Sequence, residues 1–182
     1  MCNLLFGNKG EWSEVFAFFK LLGEGQLYSA DAYLKRKSDV FYNIVEILRN
    51  EGDGNIRFIF NPDLRKVTIE DDFNRAIKTI AADDFSKEAE YLFSQITSSK
   101  KRTFTVQKTQ FFLNSINCKK LKAPSVDKSD IKIKVHDSIT KLEPTLGFSI
   151  KSMLGKPSTL LNAGRTTNFI YKIKGVFTIT LL

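Results

Sequence analysis

Apolar positions along this chain fall into two rhythms, one helical and one of period two. Trp12, Val15, Phe16, Phe19 and Leu22 recur at helical spacing. Asn8 and Glu11 form a capping-box pair ahead of them and Gly23 and Gly25 follow, so a helix is predicted over about 9–22. Residues 26–36 are ambiguous between a short strand and a connector. Phe41, Ile44, Val45 and Leu48 follow Ser38 or Asp39 as cap and precede Gly52, which predicts a second helix over 38–50. Residues 55–60 and 66–70 are short β segments around the turn Asn61-Pro62-Asp63. Asp71 or Asp72 opens a third predicted helix through Ile80. A fourth, over 84–98, turns Phe85, Ala89, Leu92, Phe93 and Ile96 inward. After a basic hinge at 98–102, a fifth helical segment over 104–118 packs Phe111, Phe112 and Ile116. The expected organisation is a single domain over 1–182, with a helical block at about 71–118 preceding a hairpin at 126–152.

That hairpin organises the rest. Ile131, Ile133 and Val135 alternate with Lys132, Lys134 and His136, the pattern of a half-buried strand. Turn residues from Asp137 to Pro144 follow, and then Leu146, Phe148 and Ile150 alternate with Gly147, Ser149 and Lys151. Asp130 has the parity of the first strand's polar face and Lys151 that of the second's. If the strands pair with their apolar faces on one core, a carboxylate and an ammonium share the opposite face. A nuclease that cuts with a divalent cation needs such a pair, because carboxylate oxygens hold Mg²⁺ and a nearby lysine orients water or neutralises developing charge. The alternative is an ordinary amphipathic hairpin with a solvated charged face.

Composition narrows the class. The 182 residues suffice for one well-cored domain. No run approaches the roughly 18 apolar residues that span a bilayer, and no signal peptide is visible at the N-terminus. Cys2 and Cys118 supply neither a disulfide framework nor a zinc pattern, and are expected to be thiols in a reducing cytoplasm. Charge is uneven. Residues 1–98 carry 12 Lys/Arg against 16 Asp/Glu, and residues 99–182 carry 16 against 4, nets of −4 and +12. A polyanion partner for the second half follows, nucleic acid before an anionic membrane. The basic run Lys119, Lys120, Lys122 reads equally as a solvated loop or as a phosphate contact. Glu14 sits on the flank of the first helix's apolar stripe, in line with Phe18 and Leu21, and is expected to be partly buried.

The segments NKGEWSE (8–14) and GFSIKSMLGKPSTLLNAGRTTNF (147–169) resemble the HpaII-type restriction endonucleases, a branch of the PD-(D/E)xK nucleases. The resemblance implies an α/β (α+β) fold: a restriction-endonuclease-like core with a mixed central β-sheet flanked by helices. It also implies Mg²⁺-dependent type II cleavage of double-stranded DNA at CCGG, in the cytoplasm, as part of a restriction-modification system with a cognate methyltransferase. A homodimer would suit a palindromic site. Asp130 is similar to the motif acid and Lys151 to the motif lysine, while Ser149 stands where the usual second acid would be. Gly10-x-x-x-Glu14 is similar to the helix motif of the mismatch-repair and Sau-type nucleases, which makes Glu14 the candidate replacement. Glu143 and Asp137 are weaker candidates. The expected site is therefore Asp130, Lys151 and Glu14, with Asp130 and Glu14 on the metal. Lys156, Ser158, Thr159, Asn162, Arg165 and Asn168 are expected to contact DNA, with arginine suited to guanine and asparagine to adenine. Family members run beyond this length, so a C-terminally truncated product is also expected. The competing reading is an inactive remnant acting only as a DNA-binding module. An RNA-binding protein is a third, which lacks the aromatic motif it would need.

Overall fold

The structure, a computed structural model, describes residues 4–52, 54–122 and 129–154. A short strand β1 (Gly7–Asn8) leads into helix α1 (Lys9–Glu24), followed by strands β2 (Gln26–Ala30), β3 (Arg36–Asn50), β4 (Asn55–Asn61), β5 (Lys66–Glu70) and β6 (Ala76–Ala81). Helix α2 (Ala82–Ser98), strand β7 (Thr103–Phe104), helix α3 (Gln107–Ser115), and strands β8 (Ile131–His136) and β9 (Thr145–Phe148) complete the described elements. A seven-stranded sheet runs β6-β5-β4-β3-β8-β9, with β2 also paired to β3. The expected α/β class is what the structure shows, a large sheet flanked by helices. All pairings among the described residues are antiparallel.

Helix α1 forms for the reasons its sequence carries. Asn8 Oδ1 accepts from Glu11 N–H at 3.0 Å, and Glu11 Oε2 accepts from Asn8 N–H at 2.9 Å, satisfying two orphan donors. Gly25 ends the helix in the left-handed region at φ 69°. Trp12, Val15, Phe18, Phe19 and Leu22 are fully buried, each contributing about 1.5–3 kcal/mol by transfer from water. Phe18 meets Phe58 of β4 edge-on at 4.9 Å, and Phe19 meets Phe112 edge-on at 5.3 Å, so aromatic contacts tie the helix to the sheet and to α3.

Two predicted helices are strands. Residues 38–50 lie within β3, whose register slips between Ile44 and Glu46 so that Val45 is an extra, bulged residue. The bulge puts Ile44 and Ile47, three positions apart, on the same buried face. A strand thereby acquires helical spacing. Residues 71–80 form a hairpin tip and β6. Asp71 Oδ1 accepts from Phe73 and Arg75 N–H at 2.9 and 3.0 Å, which closes a turn rather than capping a helix. Smaller corrections follow from partial coverage. Phe111 is exposed on α3, Phe93 is exposed although it touches Phe16, and Leu146 is exposed on the edge strand β9. The predicted 84–98 helix and the 55–60/66–70 hairpin are present as α2 and β4–β5.

Candidate active site

At one end of the sheet, the end of β3, the start of β8 and the first turns of α1 enclose a small cavity of about 40 Å³. It is large enough for a water or an ion and far too small for a nucleotide. Its lining includes Glu14 and Phe18 from α1, Leu48, Arg49 and Asn50 from β3, Leu121, and Asp130 and Lys132 beside and on β8. Glu14 reaches it because α1 buries the adjoining stripe, leaving the flank turned to the sheet's end. Asp130 reaches it because it sits one residue ahead of the β8 ladder.

The two acids sense each other. Burial of the Glu14 carboxyl and the neighbouring Asp130 charge push its pKa up to about 7, with Glu11 adding to the rise and Lys122 and Arg49 opposing it. Asp130 is fixed from a second direction: Asp130 N–H donates to Phe148 O at 2.9 Å, and Asp130 Oδ2 accepts from Ile150 N–H at 2.6 Å. Asp130 is thus tied to the backbone segment that leads into Lys151. Ser152 Oγ lies 2.9 Å from Ser13 Oγ on α1, drawing the same segment towards the helix. Lys151 itself is exposed and is not among the residues lining the cavity. Ser149 is exposed as well.

The weaker candidates have other partners. Asp137 Oδ1 accepts from Ile139 N–H at 2.8 Å within the hairpin turn. Glu143 pairs with Lys134 at 3.0 Å and His136 at 3.5 Å on the outer face of the sheet. The basic run is folded beside the cavity: Leu121 lines it, and Lys122 Nζ donates to Glu11 Oε1 at 3.0 Å. The sequence does not signal Arg49, because the apolar spacing of Phe41, Ile44, Val45 and Leu48 predicts a helix over 38–50. Lys132, two residues after Asp130, shares its parity. Lys156, Ser158, Thr159, Asn162, Arg165 and Asn168 lie outside the described residues. Cys118 is buried, with its thiol pushed up to about 12 by burial, and is chemically quiet.

Among the described residues no group of three or more His, Cys, Asp or Glu is placed to hold a metal. Two carboxylates are nonetheless a fitting donor set for Mg²⁺, which keeps several waters and binds through one or two carboxylates plus substrate phosphate. Burial lifts Glu14 most and the Asp130 charge adds to the rise, and a bound divalent cation would offset that second effect.

A large antiparallel sheet flanked by helices is consistent with a restriction-endonuclease-like fold. The chain belongs to the HpaII restriction endonuclease family, whose profile matches residues 8–181. The type II restriction enzyme HpaII of Haemophilus parainfluenzae is 41% identical over 174 residues, 95% of this chain and 48% of that enzyme. The chain therefore spans about half the length of this curated relative. No solved structure matches it. Among the described residues no helix is long and apolar enough to cross a membrane.

Proposed function

We propose that this chain carries the phosphodiester-cleaving site of a type II restriction endonuclease acting on double-stranded DNA, with CCGG as the site and the cytoplasm as its place of work. The observation that supports this most is the meeting of Glu14 and Asp130 at one cavity, where the charge of one raises the pKa of the other. Magnesium, when bound there, would supply Lewis-acid polarisation of the phosphate and of a water. Glu14 and Asp130 would hold it. Glu14 must lose its proton first, so the site loads most readily above neutrality. Asp130, clamped by Ile150 N–H, keeps the lysine-bearing segment beside the carboxylates. Lys151 would orient the attacking water or offset charge on the phosphate once DNA covers this rim. Residues 156–168 would contact the duplex, and a homodimer would match a two-fold site. A methyltransferase would protect the host's own copies.

The experiment is direct. Plasmid DNA is incubated with purified protein and Mg²⁺, with EDTA, and with Lys151→Ala or Asp130→Ala. Cutting by the wild type alone is expected, with about 10²–10³-fold loss for Lys151→Ala. Robust cutting by either variant removes that residue from the mechanism, and cutting in EDTA removes the metal. The exposed Ser149, standing where an acid is usual, favours a second reading as a DNA-binding module without chemistry. That reading requires salt-dependent duplex binding and no cleavage in any divalent metal.

A further inference from the structure

Arg49 is an expensive residue to bury. Its side chain is 12% exposed and that of its partner Glu51 2%, with Arg49 Nε donating to Glu51 Oε1 at 2.6 Å. Glu51 Oε2 also accepts from Lys119 and Lys120 N–H at 2.7 and 3.1 Å, and Arg49 Nη2 donates to Lys120 O. The guanidinium lies 5.2 Å from the Phe18 ring centre. Two of its three nitrogens are therefore held, and Nη1 has no hydrogen-bond partner among the described residues. A pair of apolar side chains would usually hold such a place at equal or better stability, so the charge calls for a reason beyond folding. The reason is at hand: Arg49 lines the same cavity as Glu14 and Asp130. Two carboxylates lining that cavity repel a phosphodiester. A fixed cation beside them offsets that repulsion, and a planar guanidinium suits phosphate oxygens better than an ammonium.

We propose that Arg49 is a substrate-binding residue of the carboxylate cavity, clamped by Glu51 so that Nη1 meets a non-bridging oxygen of the DNA backbone. This rests on reading the cavity as the DNA-cleaving site. Glu51 is the positioning residue, and the backbone N–H groups of Lys119 and Lys120 hold Glu51 in turn. The basic run thus acts through its backbone as well as through its charge.

The test uses the double variant Arg49→Met with Glu51→Gln. It removes both charges together, and the glutamine keeps an oxygen for the Lys119 and Lys120 N–H groups. Binding to a fluorescent CCGG duplex is measured in Ca²⁺ across a salt series, with thermal unfolding as the control for folding. The expected result is an unchanged unfolding midpoint, about 10–100-fold weaker binding, and a salt slope smaller by about one. Wild-type affinity and slope in the folded variant would overturn the proposal. If the double variant does not fold, Arg49→Lys carries the test, because it keeps Glu51 paired and removes the second arm. Weakened binding is again expected, and wild-type affinity again overturns it. Wild-type protein that binds the duplex but cuts in no divalent metal defeats the nuclease reading while leaving the Arg49 comparison intact. Wild-type protein that binds no duplex defeats both.

Discussion

Glu14 is half-buried beside a second acid, and the sign of its effect on stability follows from that. Its folded pKa of about 7 lies above the ordinary value of 4.5, so the folded state holds the proton more tightly than the unfolded chain. Below about pH 4 both states are protonated and the group contributes nothing. Between the two values the unfolded chain ionises first, so stability is lost as pH rises, and the full penalty stands above about pH 7. Glu14→Gln removes it. Discounted for partial exposure, the variant is expected to be about 1–2 kcal/mol more stable than wild type near pH 8 without metal, and equal to it near pH 4. Urea unfolding at the two pH values checks this, and equal stability at both would remove the electrostatic account. The same substitution is expected to lower cleavage by more than about 100-fold, the loss that even an outer-shell partner of a metal can cause.

Among the elements, β3 and α1 decide how the site is built, and they differ in how far their sequences declare them. Helix α1 was legible because cap, stripe and terminal glycine all agree. Strand β3 was not. The bulge at Val45 gives Ile44 and Ile47 a spacing of three, and Ser38 and Asp39 imitate a helix cap. Its run of Val40, Phe41, Tyr42, Ile44, Val45 and Ile47 is rich in β-branched and aromatic residues, which is the signal that could have corrected the period. Strand β6 was missed for a related reason: an aspartate that closes a turn and one that caps a helix use the same side-chain bond to backbone. The partial burial of Glu14 could be read from its place on the helix flank and the face of Asp130 from strand parity, but that the two share a site was implied only by the resemblance of Gly10-x-x-x-Glu14 to a nuclease helix motif. Arg49 could not be placed, because its partner Glu51 and the Lys119–Lys120 backbone come together only across the fold. The junction of α1 with β2 gives a prediction at this scale. A Cβ at Gly25 would fall 2.3 Å from the Phe60 ring, in a backbone conformation at φ 69°. Gly25→Ala is expected to cost about 2–4 kcal/mol, from the left-handed residue and the overpacked ring together. A denaturation midpoint within error of wild type would show that Phe60 moves aside at no cost.

Across the whole molecule, acidic and basic halves of the sequence fold onto one cavity. The N-terminal half brings Glu14 and Arg49 to its lining, and the basic half brings Leu121, Asp130 and Lys132. Duplex affinity is expected to fall steeply with salt, with a slope of log K against log salt steeper than about −3, measured in Ca²⁺ by anisotropy. Binding indifferent to salt would mean that the +12 half does not face the phosphates. The half-buried Glu14 also has a calorimetric consequence. Near neutrality the protein holds about half a proton there, and a divalent cation bound as proposed would expel it. The heat of loading measured close to pH 7 therefore depends on the ionisation enthalpy of the buffer, strongly in Tris and weakly in phosphate, and that dependence fades by about pH 9 as the carboxyl empties of its own accord.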